Sequence, residues 1–319
     1  MFSRLPKSTR MLLAFASVYL FWGSTYGAIH IAGEHLPVPV VSATRSLISA
    51  TLIAIISLLS GKSLRVRDGE WWKLSLVGLL LMSCNNMLLT WGETMASSGF
   101  ASLIVSTMPI LIALIERMLP DGDALNGRGW IGTLLGTFGI GVLVWPSLRA
   151  ARGGEGVTGP HPLLGLTVLL AAALAAAIAA VLSRRFRFTA DSFVATGWQI
   201  GAAGIFNATF ATVTGGWHRA VWSWPGLGSI LYLSVFGSLF GLVAYTYLLK
   251  NVEVTKVSTY AFVNPVIAVL LGTLLLHERL VQTEIAGMAV ILCGVAIVVY
   301  SRVEAGKREI VGIAGEAVE

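Results

Sequence analysis

The sequence is poor in charged residues. Asp, Glu, Lys and Arg occupy 12% of its 319 positions, while hydrophobic residues occupy 55%. Soluble domains contain roughly 25% charged residues, so this chain lacks the polar surface that a water-soluble protein of its size needs. Cysteine is also scarce. Cys84 and Cys293 both lie within apolar runs, which excludes a disulfide framework.

The sequence also lacks the motifs of enzymes that work inside membranes. It has no His-Glu-x-x-His motif and no paired intramembrane aspartates, and its nearest match to Gly-x-Ser-Gly, at 96–99, begins with alanine. The run from Gly61 to Ser63 ends like a phosphate-binding loop, but Ile56 stands where the first glycine is required. We therefore expect no enzyme activity, no metal site, no cofactor and no ATPase subunit as partner.

Long apolar segments dominate the rest of the chain. A helix that crosses a bilayer needs about 20 apolar residues, and these runs are continuously apolar instead of alternating as in a barrel. The predicted fold is therefore an all-α integral membrane protein with ten transmembrane helices. The segments are 11–33, 39–59, 73–92, 98–119, 129–146, 163–182, 192–213, 226–248, 257–276 and 284–301.

The basic residues predict the orientation. An even number of spans with both termini in the cytoplasm places 17 Lys and Arg residues inside and 4 outside. Such a bias is typical of inner-membrane topology. It also explains the net charge of +6 without any nucleic-acid partner.

An internal repeat divides the chain. Aligning Pro109 with Pro265 also matches both ends of 102–109 with those of 258–265. With one gap, Gly132 and Gly139 align with Gly287 and Gly294, and Asp123 aligns with Glu278. Because each half has five spans, an odd number, the halves must cross the membrane in opposite directions. Inverted repeats of this kind are typical of secondary transporters with a substrate site at the midplane.

The repeat sets the predicted domain boundaries. They are a first five-helix repeat at 1–148, an outer linker loop at 149–162, a second repeat at 163–303 and a cytoplasmic tail at 304–319. Pro109 and Pro265 lie near the middle of their spans, where proline removes a backbone hydrogen bond, so we expect kinks or hinges there. Simple helix packing is an equally good interpretation of these prolines.

Polar and aromatic residues within the spans are the candidate substrate ligands. In the first span Trp22, Tyr26 and His30 are spaced by four residues and share one helix face, which suits stacking or cation–π contact. Arg45 is the only basic residue deep within a span, and it could bind a carboxylate, pair with Glu34 or extend to the interface. The remaining candidates are Asn85, Asn86, Trp198, Gln199, Tyr260 and Asn264.

Few titratable groups could couple transport to protons. The candidates are Glu34, Glu93 and Glu116, which lie close to span edges in the sequence, and His30. Passive exchange is therefore as credible as proton coupling.

Three stretches resemble the EamA-type members of the drug/metabolite transporter superfamily. They are "FWGSTYGAIHIAGE" from Phe21, "ATRSLISA" from Ala43, and the run from Ser258 that holds "YAFVNPVIAVLLGTLLLHERL" and the pair Gly287 and Gly294. The resemblance spans residues 11–302 and implies ten helices as two inverted repeats, alternating access and a bacterial inner membrane. Members commonly export amino acids, and the YddG-like branch exports aromatic amino acids and the dication paraquat.

The composition and the resemblance together favour a secondary exporter of amino acids or related small amphiphilic metabolites. Its partners would be a small-molecule substrate and the lipid bilayer. The alternative is efflux of lipophilic cationic drugs such as paraquat, for which a carboxylate at midspan would be expected.

Overall fold

The protein is all-helical in the part of the chain that the computed structural model describes. That part comprises residues 6–120, 126–150, 161–186, 188–251, 260–276, 282–283, 285–298 and 300. No β-strand occurs within these ranges. Asp123 and Glu278, most of the predicted linker and the predicted tail lie outside them.

The helices of the first half alternate with short connections. They are α1 (Lys7–His35), α2 (Val38–Leu59), α3 (Glu70–Gly78), a first π-helical segment (Leu79–Asn85), α4 (Asn86–Glu93), α5 (Ser98–Val105), α6 (Met108–Met118) and α7 (Gly127–Ala150). The π segment joins α3 and α4 into one helical run, whereas α5 and α6 are separated by a break at residues 106–107. The π segment was not predicted from the sequence, whereas the break lies just before Pro109, the second residue of α6.

The second half repeats this pattern. It contains α8 (Pro162–Phe186), α9 (Ser192–Val213), α10 (Gly216–Arg219), α11 (Trp224–Tyr232), a second π-helical segment (Leu233–Phe240), α12 (Gly241–Asn251), α13 (Tyr260–Leu275) and α14 (Ile285–Val298). The second π segment joins α11 and α12 as the first joins α3 and α4. Both π segments therefore lie in the third long helical run of their half.

Several helices begin at polar side chains that accept bonds from the first free N–H groups. Ser97 accepts from the backbone of Phe100 at the start of α5, and Ser223 accepts from that of Gly226 at the start of α11. Asp191 accepts from the two backbone N–H groups of residues 193 and 194 at the start of α9. These caps satisfy donors that have no partner within the helix.

Five helical runs in the described residues are long and apolar enough to cross a membrane. They are Lys7–His35, Val38–Leu59, Glu70–Glu93, Ser98–Met118 and Leu163–Phe186. Shorter apolar helices cover Trp224–Phe240, Val263–Leu275 and Ile285–Val298. The chain is a multi-pass membrane protein; the count of ten spans and the cytoplasmic termini stay predictions.

Contacts between the two halves are reciprocal. Helix α1 packs against α11, α12 and α13, and α8, the first helix of the second half, packs against α4, the first π segment, α5 and α6. The second helices of the halves, α2 and α9, pack against each other, and so do α5 and α13. This is the contact pattern expected for two repeats that a two-fold axis relates.

Glycines allow the last helices of the two halves to touch. A Cβ atom on Gly132 of α7 would lie 2.7 Å from the carbonyl oxygen of Gly294 on α14. A Cβ atom on Gly139 would lie 2.7 Å from the backbone nitrogen of Ile291. Such distances leave no space for a side chain, so these helices meet backbone to backbone, as small residues permit in lipid.

Candidate functional site

Three aromatic side chains from three helices, Trp22 on α1 and one tyrosine on each of α12 and α13, form a cluster. The Trp22 ring lies 5.1 Å from the ring of Tyr245 on α12 and 5.1 Å from that of Tyr260 on α13, with an edge-to-face arrangement toward Tyr260. The two tyrosine rings are 5.9 Å apart, also edge to face. Because α1 belongs to the first half and the tyrosines to the second, this aromatic cluster lies between the halves.

The indole N–H of Trp22 binds protein. It donates a hydrogen bond of 3.0 Å to the carbonyl oxygen of Gly237 in the second π segment. Gly241, four residues later, must be glycine here because a Cβ atom on it would clash with the indole nitrogen of Trp22. Trp22 is thus held against the second π segment, and its N–H group already has a protein partner.

Arg45 lies beside the same π segment. Its Nε donates to Ser238 Oγ at 3.4 Å, a long bond, and this is the one hydrogen bond that its side chain makes to the described residues. The backbone carbonyl of Arg45 accepts from Ser49 at 2.7 Å and from Ser234 at 3.3 Å. The serines fix the backbone of Arg45, while most of the five guanidinium N–H donors are left for another acceptor.

Glu93 is the most completely buried acidic residue among those described. The sequence places it at the edge of a span, but its relative exposure in the structure is 1%. The Nδ1 atom of His30 lies 3.1 Å from the Glu93 carbonyl oxygen, a bond that requires the proton on Nδ1. Glu34 is largely exposed, and its carboxylate lies 3.6 Å from His30 Nε2, so the structure places it beside His30 and not beside Arg45.

Tyr26 connects the aromatic cluster to the charged residues. Along α1, Tyr26 lies four residues after Trp22 and four before His30, whose Nδ1 lies 3.1 Å from the Glu93 carbonyl oxygen. A Cβ atom on Gly237 would lie 2.8 Å from Cγ2 of Thr25, the neighbour of Tyr26, and 3.7 Å from a guanidinium nitrogen of Arg45. One continuous region therefore holds Trp22, Tyr26 and the two opposite charges.

A second polar region surrounds the first π segment. Asn207 on α9 is fully buried, and its Nδ2 donates to the carbonyl oxygen of Met82 at 3.4 Å. Asn85 donates to Leu81 O at 3.3 Å, and Asn86 lies 3.6 Å from the sulfur of Met82. Gln199 is buried on α9, and its backbone packs so closely against Gly78 that any side chain there would clash.

Buried amide oxygens in these regions lack hydrogen-bond donors. The Oδ1 atoms of Asn85, Asn207 and Asn264 are buried and accept no hydrogen bond from the described residues. Asn264 lies on α13 where α1 passes closely, since a Cβ atom on Gly23 would be 3.3 Å from the Asn264 backbone oxygen. Open buried acceptors are rare in proteins, and a ligand with N–H groups would satisfy them.

Two predicted residues lie apart from these regions. Trp198 is 40% exposed, and its indole nitrogen donates to Leu64 O in the loop after α2 at 2.8 Å. Glu116 is buried near the end of α6, with its carboxylate oxygens 3.8 Å from guanidinium nitrogens of Arg184 and Arg185 at the end of α8. The structure brings neither residue to Trp22 or Arg45.

The two prolines differ in their surroundings. Pro109 is the second residue of α6 and directly follows the break between α5 and α6. Pro265 lies inside α13, which continues through it. Their role as hinges stays a prediction.

Four residues near Trp22 and Arg45 were not among the site residues predicted from the sequence. They lie in or next to the second π segment and contact Trp22 or Arg45 of the first half: Ser234, Gly237, Ser238 and Gly241. Their signal is the spacing of four residues between the two serines and between the two glycines within an apolar run. An apolar groove between α2 and α11, lined by Thr44, Ile48, Trp222, Trp224, Leu227 and their neighbours, contains none of the predicted site residues.

Solved structures share this fold. One crystal structure of a protein matches with a TM-score of 0.62 at 22% sequence identity, over 92% of this chain and 96% of its own. At this identity the match concerns the fold alone.

The chain is similar in sequence to several transporters. It is 30% identical over 290 residues to the uncharacterized inner membrane transporter YedA of Escherichia coli K12, covering 91% of this chain and 90% of that protein. It is 26% identical to the uncharacterized transporter YvbV of Bacillus subtilis, covering 99% of both chains. A WAT1-related chloroplastic protein of Arabidopsis thaliana, At3g02690, is 26% identical over 88% of this chain and 67% of its own length.

The two halves each match the same family model. The model of the EamA-like transporter family matches residues 9–145 and again 163–300, which agrees with the repeat found in the sequence. The chain therefore belongs to the EamA-like transporter family, within the drug/metabolite transporter superfamily.

Proposed function

We propose that the protein is a secondary transporter that exports amino acids or related small amphiphilic metabolites across a bacterial inner membrane. Membership of a transporter family supports the general role, and similarity to the inner membrane transporter YedA supports the location in that membrane. One observation carries the substrate class: a guanidinium and an aromatic cluster adjoin the same π segment between the two halves.

Each part of the region suits one part of such a substrate. Arg45 would bind a carboxylate with two N–H donors, the geometry that makes Arg–carboxylate contacts strong. The rings of Trp22, Tyr245 and Tyr260 would contact an apolar or aromatic side chain. The amide oxygen of Asn264, on α13 where α1 passes closely, would accept a hydrogen bond from the substrate.

The transport cycle that fits this arrangement is alternating access of ten helices around a midplane cavity. In such transporters the two repeats rock against each other around a fixed site. The two π segments lie where bending would be needed, because the π-helical hydrogen-bond pattern interrupts the regular ladder and is frequent at functional sites. Pro109, next to the break between α5 and α6, supplies a further point of bending.

Counterflow in proteoliposomes tests this function. Vesicles loaded with unlabelled L-phenylalanine should accumulate labelled L-phenylalanine transiently and saturably, without an imposed ion gradient. Arg45→Gln should reduce this accumulation at least tenfold, whereas the matched control Arg65→Gln, in the exposed loop after α2, should leave it unchanged. Absence of counterflow for every member of an amino acid panel would contradict the proposal.

One observation favours a second candidate function, the efflux of lipophilic cations such as paraquat. The buried Glu93 supplies the carboxylate that such a substrate needs, and the aromatic cluster supplies cation–π contact. Arg45 argues against this second function, because its positive charge would repel a dication bound at the aromatic cluster. Gradient-dependent transport of a cationic dye that is lost in Glu93→Gln, with no amino acid counterflow, would establish this function instead.

A further inference from the structure

The described interior contains two opposite charges in one region. Arg45 is the eighth residue of α2, and Glu93 is the last residue of α4. Helix α4 packs against α1, α2 and α8, and Glu93 at its end is buried. The burial of Glu93 is thus a result of tertiary structure and not of its place in the sequence.

Hydrogen bonds to the backbone carbonyl of each charged residue fix the position of its helix. His30 binds the backbone carbonyl of Glu93, which fixes the end of α4 against α1. Ser49 and Ser234 bind the backbone carbonyl of Arg45, which fixes α2 against the second π segment. The guanidinium therefore lies at the boundary between the halves, where a Cβ atom on Gly237 would be 3.7 Å from it and 2.8 Å from Thr25 Cγ2 on α1.

Opposite charges in such a region discriminate strongly between ligands. A buried charge without compensation is costly, so each of the two groups stabilises the other. A ligand with both a carboxylate and an ammonium group can replace this interaction without changing the net charge of the site. A ligand with only one of these groups leaves one protein charge uncompensated.

We propose that Arg45 and Glu93 form a charge-selective pair that accepts zwitterions and rejects otherwise identical monoanions and monocations. Arg45 receives the carboxylate, Glu93 receives the ammonium group, and the aromatic cluster receives the side chain. This inference rests on the proposed function and adds to it the residue that recognises the ammonium group.

The test uses three probes of one shape. L-phenylalanine carries both charges, 3-phenylpropionate lacks the ammonium group, and phenethylamine lacks the carboxylate. In wild-type proteoliposomes, neither singly charged probe should compete with labelled L-phenylalanine at a tenfold excess. This part needs no variant, so it remains decisive even if substitutions impair folding.

Replacement of either charged side chain by an uncharged one should change which probe is transported. Glu93→Gln should lower L-phenylalanine counterflow by about 10- to 100-fold, the usual effect of losing a charge-assisted hydrogen bond, and should admit 3-phenylpropionate. Arg45→Gln should lower it similarly and admit phenethylamine. The control Asp68→Asn, in the exposed loop before α3, should resemble wild type.

The outcomes separate this inference from the function on which it rests. If wild type shows no L-phenylalanine counterflow, the proposed function fails. If wild type transports L-phenylalanine but both singly charged probes compete equally well, the charge-selective pair is wrong and the function stands. The inference is also overturned if monodisperse Glu93→Gln transports all three probes in the wild-type ratio.

Discussion

At the scale of single residues, Trp22 shows how a side chain can be central to a site without offering its polar group. Its ring contacts two tyrosines, while its N–H group binds the second π segment. The spacing of Trp22, Tyr26 and His30 predicts a shared helix face, but it cannot reveal this hydrogen bond, because Gly237 is 215 positions away in the sequence.

Substitution of Trp22 separates its two roles. Trp22→Phe keeps most of the ring contacts and loses the hydrogen bond, so we expect a loss of about 1 kcal/mol in stability and nearly normal L-phenylalanine affinity. Trp22→Ala removes the ring and should cost about 3–5 kcal/mol and weaken substrate affinity. Thermal unfolding in detergent and the half-saturation constant for counterflow measure the two effects. Equal loss of affinity in both variants would contradict the assigned roles.

Asp191 gives a prediction outside the spans. Its carboxylate accepts from Lys62 Nζ at 2.9 Å and caps α9, and the Lys62 ammonium group, with these backbone bonds, holds the pKa of Asp191 below its usual value. A lowered folded-state pKa means that this group stabilises the protein at neutral pH and that the contribution is lost as the pH falls below about 3.9 toward the folded-state value.

The matched variant is Asp191→Asn, which keeps a capping oxygen and removes the charge. Its melting temperature should lie below that of wild type at pH 7, and the difference should shrink as the pH falls through that acidic range. Because Asp191 and Lys62 are both partly exposed, we expect a small difference that high salt reduces. A difference that grows on acidification would contradict the assignment.

At the scale of helices, the two π segments are the main features that sequence patterns do not reveal. Hydropathy identifies the runs that contain them, and it is the same whether a run is α- or π-helical. Whether a segment is α- or π-helical depends on which N–H groups donate to its backbone carbonyl oxygens. In each half a side chain from another helix supplies one: Asn207 binds Met82 O, and Trp22 binds Gly237 O.

Local hydrogen exchange can test these two supports separately. Asn207→Leu should increase amide exchange in peptides that cover 79–86, because the Met82 carbonyl loses its donor, and should leave 233–241 unchanged. Trp22→Phe should have the reverse effect. Thr209→Val, which alters an exposed hydroxyl on the same helix as Asn207, is the control. Uniformly faster exchange in both segments for either variant would contradict separate supports.

At the scale of the whole molecule, the repeat could be predicted from the sequence, whereas the site could be predicted only in part. Pro109 and Pro265, with the glycines that follow them, reveal two similar halves, and the family model matches both. Arg45 was identifiable because a lone basic residue deep in a span needs a partner. Glu93 was underestimated because its position at a helix end suggests exposure, whereas α4 packs against α1, α2 and α8 and the residue is buried.

Glycine substitutions can test the contact between α7 and α14, the last helices of the two halves. A Cβ atom on Gly294 would clash with backbone atoms of Gly132 and Gly136, so Gly294→Ala should destabilise the protein by about 1–3 kcal/mol. Gly141 has open space at its Cβ position, so Gly141→Ala should be neutral or slightly stabilising. Thermal unfolding of the purified protein compares the two variants. Equal effects would show that α7 and α14 do not meet at these glycines.

We propose that one site between the halves opens alternately to each side of the membrane. Ser238 adjoins Arg45 at this site, so Ser238→Cys in a Cys84→Ser, Cys293→Ser background provides a reporter. Membrane-impermeant thiol reagents should label it from outside in right-side-out vesicles and also in inside-out vesicles, with L-phenylalanine changing both rates. Labelling from one side only, under all conditions and with no effect of substrate, would contradict alternating access at this site.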